Sequence, residues 1–530
     1  MSLPRPLEVR GSERPISRRT WVGKRLAGRD GAGDAIPRAA RGVTPDAGTF
    51  LVVICALAAA GWTTLAAYHA WHYHLLADDY ALIAQASDAS YRQIFTSDLF
   101  SFYRPFTAAL VKTVAWIMTP SHGGWSVLML ALHVGNTVLL TSVSRRLWHD
   151  RHATWFCATV FLVSPWAAEA YLWLGAIFDV AVTGATLAAV RFGLEAARRA
   201  RGAGTWWLAT AVTCTLAAGF KEHGLLSPFI VAGVLLADNP RVGRSPQAWT
   251  AGALATAGVV LVFMVRGVLV DSTSTYTVSA FGALLGGSHL VATFGSAALA
   301  LTAWPVPHTL GPLASWLNVL LVWPVGFALL PTCVAGLLLS ARRAAFLAAV
   351  AAGSYAPTAF LLLTVSTITP RRYIYLAGAW GALLLGWALS RMRMTATADR
   401  TVGLVASAVL AAATASVAAQ ILLWVDATRI ARCAVEDFGR VALGRGRPIY
   451  VDNVPVVVDS GPLVLLEYDF HYAYRPHWEG VDVVYRTVSL HLDESGRYSV
   501  AGHGEAPVGI EDRERLSLDL CGVTAPGVVP

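Results

Sequence analysis

The chain has 530 residues, of which 55% are hydrophobic and only 14% are charged. Soluble domains average about 25% charged residues, so the composition excludes an ordinary soluble protein and predicts a polytopic membrane protein. The net charge of +8 is unevenly distributed, because residues 426–530 carry ten Lys and Arg against sixteen Asp and Glu. An acidic tail on a basic membrane body gives no basis for nucleic-acid binding, and no nucleic-acid partner is predicted.

The first elements are a basic tail and an apolar run. Residues 1–47 are rich in Arg, Gly and Pro and predict a disordered cytoplasmic tail. The following run "TFLVVICALAAAGWTTLAAYHAW" is long enough to cross about 30 Å of hydrocarbon, which gives a first span at about 49–70. The loop 72–123 is therefore non-cytoplasmic. Within it, "YRPFTAALVKTVAWIM" has apolar residues at helical spacing and predicts an interfacial helix.

Ten further apolar runs predict spans. They lie near 124–143, 153–168, 174–192, 205–219, 224–237, 248–268, 317–339, 344–363, 373–390 and 402–424. The segment 289–304 is interpreted as re-entrant or interfacial, because a full span there would place "ARR" and "RMRM" outside, against the positive-inside rule. The predicted fold is an all-α polytopic membrane module over 48–425, with about eleven crossings.

The tail, 426–530, predicts a small α/β or β-rich domain on the non-cytoplasmic side. Its segments "RPIYVDNVPVVVDSGPLVLLEYDF" and "VDVVYRTVSLHL" are strand-like runs bounded by Gly, Pro and Asp. Cys433 and Cys521 flank this domain, and in an oxidising compartment they can pair as one disulfide.

The ionisable residues gather at one membrane face. Residues 272–398 contain no Asp or Glu, so the candidate carboxylates lie in the first half of the chain. On the predicted topology most of these acids and several cations are exterior: Asp78, Asp79, Asp88, Asp98, Glu169, Asp179, Glu222 and Asp271, with Arg104, Lys112, Lys221, Arg371 and Arg372. Charges at a bilayer edge are costly and are usually functional or paired. Such a face suits an anionic lipid and a hydroxyl acceptor.

Adjacent Asp78 and Asp79 suit a general base beside a positioning or metal-binding carboxylate, since like charges raise one of the two pKa values. The alternative is a pair of solvated acids that cap the next helix. Lys221 either pairs with its neighbour Glu222 or contacts a phosphate. Arg371 and Arg372 are either interface residues or a bidentate phosphate clamp.

Three histidines in "HAWHYH" lie near these acids, but the interleaved Trp and Tyr are typical of an aromatic belt, and no metal ligand is assigned. Glu169 and Asp179 lie ten residues apart across a predicted hairpin and are expected to approach each other. No cofactor is predicted, and the need for a divalent metal is left open.

Six segments in order resemble the GT-C superfamily of integral-membrane glycosyltransferases, in particular its protein O-mannosyltransferase-like branch. They are "LLADDYALI", "FYRPFTAAL", "MLALHVGNTVLL", "SPWAAEAYLWLGAIFD", "FKEHGLL" and "TPRRYIYLAGAWG", and they cover about residues 75–385. The chain departs from the family pattern at two positions: Ile177 stands where the branch often has an Arg, and Arg371 stands where it often has an acid. No tetratricopeptide array follows the membrane module.

The resemblance implies sugar transfer from a polyprenyl-phosphate donor to a glycan, lipid or protein hydroxyl on the exterior face of a bacterial plasma membrane. It makes Asp78 the base, with Asp79 as the second acid of the site. Other residues are expected to bind the donor phosphate (Arg372, Lys221, Arg104, Arg371) or to line the sugar or acceptor pocket (Glu169, Glu222, Asp179, Tyr103). Two alternatives stay open. One is a transporter or flippase for lipid-linked glycans. The other is a non-catalytic assembly partner, which the departures from the family pattern favour.

Overall fold

The computed structural model describes residues 47–269, 372, 375–392, 399–442, 448–458, 463–464, 483–492, 498–503, 513–521 and 523, except 77, 98, 100–102, 119–120, 166–167 and 200. Several predicted features lie outside these residues: nearly all of the basic tail, the segment 289–304, the spans near 317–339 and 344–363, and Arg371. Phosphate binding by Arg371 therefore stays a prediction.

Thirteen α-helices occur in the described part. They are α1 Ala47–His72, α2 Asp78–Asp88, α3 Tyr91–Thr96, α4 Pro105–Met118, α5 His122–Trp148, α6 Arg151–Leu162, α7 Ala168–Leu172, α8 Ile177–Arg198, α9 Ala203–Phe220, α10 Ser227–Asp238, α11 Pro246–Leu269, α12 Tyr375–Met392 and α13 Asp399–Ala442. Short 3₁₀ turns precede α8, α10 and α11, at Leu174–Ala176, Glu222–Leu226 and Pro240–Arg244.

Polar caps set where several helices begin. The Ser121 hydroxyl accepts from the Gly124 N–H at 3.2 Å at the start of α5. Asp150 caps α6 by accepting from the His152 and Ala153 amides at 2.9 and 3.1 Å. These side chains satisfy amides that have no partner within their own helix, so each turn into the bundle is encoded locally.

Five described helices are long and apolar enough to cross a membrane. They cover Gly48–His72, His122–Trp148, Leu174–Arg198, Pro246–Leu269 and Gly403–Arg440. By contrast, α6 and α10 have 12 residues each, which extend only about 18 Å against a hydrocarbon thickness of about 30 Å. The predicted spans at 153–168 and 224–237 are thus shorter as helices than their apolar runs suggest, and eleven crossings stay a prediction.

The helices pack around α8, which contacts α5, α9 and α10, while α1 packs against α13 and α6. Large aromatic residues fill the interior, and a polar network crosses it. The His133 imidazole accepts from the Tyr375 hydroxyl at 2.6 Å and donates to the Leu162 carbonyl at 3.0 Å. Asn136 donates to the same hydroxyl at 3.3 Å and to the Val180 carbonyl at 2.9 Å. The side chains of His133, Asn136 and Tyr375 are thereby paired with one another and with backbone carbonyls.

The tail forms a mixed sheet of five described strands: β1 Ile449–Val458, β2 Leu463–Val464, β3 Val483–Leu492, β4 Tyr498–His503 and β5 Glu514–Leu516. The order is β2-β1-β3-β4, and β5 pairs with β1. Strand β1 is parallel to β3 and β5, whereas β3 and β4 are antiparallel. Strands β1 and β3 lie where the alternating apolar runs predict them.

Helix α13 joins the membrane module to the sheet. The predicted last span ends at 424, but α13 runs on to Ala442 and contacts β1. Beyond Trp424 the helix turns amphipathic, since Ala427, Ile430 and Ala431 are buried between charged positions. The predicted boundary at 425/426 thus falls inside a continuous helix. The structure also joins Cys433 of α13 to Cys521 in a disulfide, with Cα atoms 5.9 Å apart.

Candidate functional site

Asp78 and Asp79 begin α2 and have opposite environments. The Asp79 carboxylate is fully buried, and its Oδ2 accepts from the Tyr73 hydroxyl at 2.6 Å and the Leu76 N–H at 2.9 Å. The Asp78 side chain is exposed and makes no hydrogen bond or ion pair with any described residue. The buried acid therefore fixes the first turn of α2, and the Asp78 side chain remains exposed beside it.

Burial raises the pKa of Asp79 to about 7, although the hydrogen bonds from Tyr73 and Leu76 act in the opposite direction. The Asp78 charge contributes to the increase, but less than burial does. The sequence suggested that like charge would be the cause, and the structure corrects this: removal of water is the larger effect. Asp79 is thus divided between its acid and carboxylate forms near neutral pH.

Residues 168–179, which we name the connecting segment, link the acid pair to a cation. The Leu174 N–H donates to the Tyr73 hydroxyl at 3.2 Å, and that hydroxyl donates to Asp79. The adjacent Trp173 ring lies 4.3 Å beneath the Arg372 guanidinium. Buried Glu169 faces the same arginine, with 3.8 Å between Oε1 and Nη1 and 3.4 Å between Oε2 and the Arg372 N–H. Residues of the connecting segment therefore contact both Tyr73, which binds Asp79, and Arg372.

A buried ion pair lies at the end of the connecting segment. Lys221 Nζ is 2.5 Å from Asp179 Oδ1, and both side chains are only 4% exposed. His223 lies 4.0 Å from the same oxygen, and burial lowers its pKa to about 4, so the imidazole is neutral at pH 7. Lys221 is therefore the main positive charge that the structure places on Asp179.

Glu222 joins two arginines beside this pair. The Arg104 guanidinium binds both carboxylate oxygens, at 3.0 and 3.2 Å, and Arg266 Nη1 approaches Oε1 at 2.6 Å. Burial alone would raise the pKa of Glu222, but the two guanidinium groups hold it well below its usual range. Arg104 also lies 4.6 Å over the Phe178 ring, which brings it against the connecting segment.

These contacts decide several alternatives that the sequence left open. The Lys221 and Glu222 side chains do not form their ion pairs with each other, because each faces a different element. Glu169 and Asp179, expected to approach each other, instead contact Arg372 and Lys221. Tyr103, expected in the substrate pocket, is buried, and its hydroxyl donates to the Phe95 carbonyl at 3.3 Å.

The histidines of "HAWHYH" point in different directions. His69 Nδ1 lies 3.1 Å from the Ser126 hydroxyl, whereas the His74 ring stacks on His122 at 3.9 Å. Trp71 is 86% exposed, as an aromatic belt residue at a membrane surface would be. No group of three or more His, Cys, Asp or Glu able to hold a metal occurs among the described residues.

Three residues of this cluster were missed by the sequence analysis. Tyr73 was assigned to an aromatic belt and Trp173 was given no role, although Tyr73 binds Asp79 and Trp173 supports Arg372. Arg266 lies near the end of a predicted span and was not counted among the exterior cations. A lone arginine close to the end of an apolar run was the available signal, because such a charge is seldom left unpaired.

No protein-family model and no curated protein sequence matches this chain. Among solved structures, the chain is similar to ArnT from Cupriavidus metallidurans without ligand, at 13% identity and a TM-score of 0.43 over 84% of this chain and 93% of that chain. ArnT bound to undecaprenyl phosphate gives 12% identity and a TM-score of 0.42, with the same coverage.

The chain is also similar to the archaeal oligosaccharyltransferase AglB from Archaeoglobus fulgidus, in complex with an inhibitory peptide and a dolichol-phosphate. That match has 12% identity and a TM-score of 0.43, over 87% of this chain and 75% of that chain. Similarity at this level assigns neither a family nor an activity, so the chemistry of the site is inferred from its side chains and from the sequence segments around them.

Proposed function

We propose that this chain is a GT-C-type membrane glycosyltransferase, which moves a sugar from a polyprenyl-phosphate-linked donor to a glycan, lipid or protein hydroxyl. The observation that supports it most directly is that exposed Asp78 lies beside buried Asp79, which is connected through Tyr73 to the connecting segment, whose Trp173 packs against Arg372. The six ordered sequence segments support the same proposal. The site faces the non-cytoplasmic side of a bacterial plasma membrane.

In the proposed reaction Asp78 accepts the proton of the acceptor hydroxyl as that oxygen attacks the anomeric carbon. A carbon–oxygen bond forms to the acceptor while the bond from the anomeric carbon to the phosphate oxygen breaks. The electron pair of that bond leaves with the polyprenyl phosphate. A positioned general base contributes about 100-fold to 10,000-fold in rate. Asp79 is a positioning residue, because it is fully buried and its Oδ2 is bound by Tyr73 and Leu76.

We assign the leaving phosphate to Arg372, which is partly exposed and supported by the Trp173 ring. A preorganised guanidinium stabilises the developing phosphate charge more strongly than bulk water does. Lys221 and Arg104 are bound to Asp179 and Glu222, so in this proposal they shape the pocket and set its charge. Glu169 orients Arg372 from the buried side.

The test is sugar transfer in membranes that contain the full chain, with radiolabelled polyprenyl-phosphate sugars as donors. We expect Asp78→Asn to lower transfer by about 100-fold or more while the protein level stays constant. Asp88→Asn, at the far end of the same helix, is the matched control and should retain activity. Unchanged transfer by Asp78→Asn would refute the base assignment. Lipid-sugar translocation without transfer by the wild type would favour the transporter alternative.

A further inference from the structure

A cavity with arginines at its mouth lies at the opposite end of the helix bundle from the acid pair. It has a volume of about 710 Å³ and lies between α1, α5, α6 and α8. Helix α5 fixes the separation: it begins at His122, beside the backbone of Leu75, and the cavity reaches Arg145 and Arg146 near its other end. Those ends are about 40 Å apart at 1.5 Å per residue. The cavity is thus distinct from the proposed transfer site.

The mouth of this cavity is strongly basic. Its lining includes the arginines at 145, 146, 191 and 198. Glu195 contacts Arg146 at 2.6 Å and Arg191 at 3.0 Å, and Arg191 Nε also donates to the Ser142 hydroxyl at 2.7 Å. These contacts fix two guanidinium groups in place without supplying an acid for each. Arg145 is exposed and makes no hydrogen bond or ion pair with any described residue.

The inner wall of the cavity is apolar. Ala59 of α1, Val138 of α5 and Ala158 of α6 line it, and Val138 is 63% exposed. Val138 and Arg145 are seven residues apart on one helix, which places the apolar wall roughly 10 Å from the basic mouth. Trp155, at 48% exposed, lies at the side of the cavity, a position that suits the boundary between headgroups and hydrocarbon.

We propose that this cavity binds one anionic phospholipid, with the phosphate on the arginines and the start of an acyl chain along the apolar wall. Guanidinium groups match phosphate oxygens in a bidentate geometry. A soluble anion would use the basic mouth alone and would make no contact with the apolar wall. The combination of a fixed basic mouth and a lipid-facing wall therefore favours a lipid over free phosphate. This inference is independent of the proposed transferase activity.

The test uses the purified full chain in a neutral detergent, with lipid binding measured by native mass spectrometry. Phosphatidylglycerol is compared with phosphatidylcholine of the same acyl chains. We expect tighter binding of phosphatidylglycerol, and a loss of roughly fivefold for Arg145→Gln, since a basic residue contributes about 1 kcal/mol toward an anionic lipid. Arg241→Gln, which removes the same charge in the turn Pro240–Arg244 at the same end of the bundle, should change binding by less than twofold.

A second variant separates a lipid from a free anion. Ala59→Trp fills the apolar wall without changing charge, so it should weaken phosphatidylglycerol binding while leaving the basic mouth intact. Equal binding of the two lipids, or an equal loss in Arg241→Gln, would overturn the proposal. Displacement of the lipid by millimolar inorganic phosphate, together with no effect of Ala59→Trp, would overturn the lipid assignment. Arg145→Gln should fold normally, because Arg145 pairs with no described acid.

Discussion

At the residue scale, the buried carboxyl group of Asp79 holds the neighbouring residue Asp78 in place at the start of α2. Two hydrogen bonds hold Oδ2, and burial of the whole side chain raises its pKa. A carboxylate in such a place is costly to ionise, but it fixes the backbone of Asp78 by fixing the first turn of α2. We therefore expect Asp79 to affect both stability and activity, whereas Asp78 should affect activity alone.

Asp79 should make stability depend on pH. Its pKa of about 7 lies above the ordinary value of about 3.9, so the folded state holds a proton that the unfolded state has lost. The stabilisation is full below about pH 4 and is lost as the pH rises through about 7. Three pKa units correspond to at most about 4 kcal/mol. Asp79→Asn should therefore gain stability relative to wild type between pH 5 and pH 8.

The measurement is the midpoint of thermal unfolding by tryptophan fluorescence at both pH values. Burial lowers the pKa values of His74 and His223 to about 4, so these two groups make stability rise with pH, opposite to Asp79. The informative quantity is therefore the difference in unfolding midpoint between Asp79→Asn and wild type at each pH. Asp78→Asn, whose side chain is exposed, should follow wild type. The same difference at pH 5 and pH 8 would show that Asp79 is not the titrating group.

The Lys221–Asp179 pair should be strongly coupled. Both side chains are 4% exposed, and removal of one partner from such a pair leaves a buried charge that costs about 3–5 kcal/mol. Asp179→Asn and Lys221→Met should each be destabilising, and the double variant should be less so than their sum. The Arg432–Glu436 pair, about 60% exposed on both sides, is the control and should couple by under about 1 kcal/mol. Additive losses at Lys221 and Asp179 would contradict this expectation.

At the element scale, the sequence predicts the helices and strands better than the contacts between their side chains. Long apolar runs predict helices because hydrocarbon leaves backbone groups no other partners. Which acid is buried is decided by packing, so Asp78 and Asp79 look equivalent in the sequence. The Lys221 backbone is extended, with φ −160° and ψ 158°, and successive side chains there point to opposite sides. Lys221 therefore faces Asp179, 42 residues away, although Glu222 is its neighbour.

The 3₁₀ turn Glu222–Leu226 should tolerate no side chain at Gly224. A Cβ there would lie 2.0 Å from the Ala217 carbonyl oxygen, which is backbone and cannot move aside alone. Gly224→Ala should displace the turn from α9 and lower the unfolding midpoint by several degrees. It should also weaken the proposed sugar transfer, because Lys221 and Glu222 move with the turn. Gly252→Ala is the matched control, since nothing lies within 4 Å of its Cβ and alanine favours a helix. Equal behaviour of the two variants would contradict this account of the turn.

At the scale of the whole molecule, one disulfide ties the end of the chain to the helix that leaves the membrane module. Cys433 lies in α13, and Cys521 follows the last described strand, 88 residues later. Asn453 adds a second connection by exchanging two hydrogen bonds with Leu518, at 2.8 and 2.6 Å. The long helix, the sheet and the chain end are thus held as one unit, and a disulfide of this kind persists in an oxidising compartment.

This arrangement gives a test of membrane orientation. If the tail is outside, a membrane-impermeant reductant applied to intact cells should open the Cys433–Cys521 bond, and an impermeant maleimide should then label both thiols. Cys55, Cys157 and Cys214 are buried and should stay unlabelled. Cys333 lies outside the described residues and is replaced by Ala in every sample. In that background the variant Cys433→Ala/Cys521→Ala is the control and should show no label before or after reduction. Labelling that requires lysed cells would place the tail, and with it the acid pair, on the cytoplasmic side.

The same bond should protect the tail from proteolysis. A cross-link that closes a loop of this length restricts the unfolded chain and typically stabilises by about 2–4 kcal/mol. Trypsin should therefore cleave the tail of the Cys433→Ala/Cys521→Ala variant faster than that of wild type, with little change in the membrane helices. Reduction of wild type should reproduce the effect, while reduction of the variant should not. Equal cleavage in all four samples would mean that the sheet and the Asn453–Leu518 contacts hold the tail without the bond.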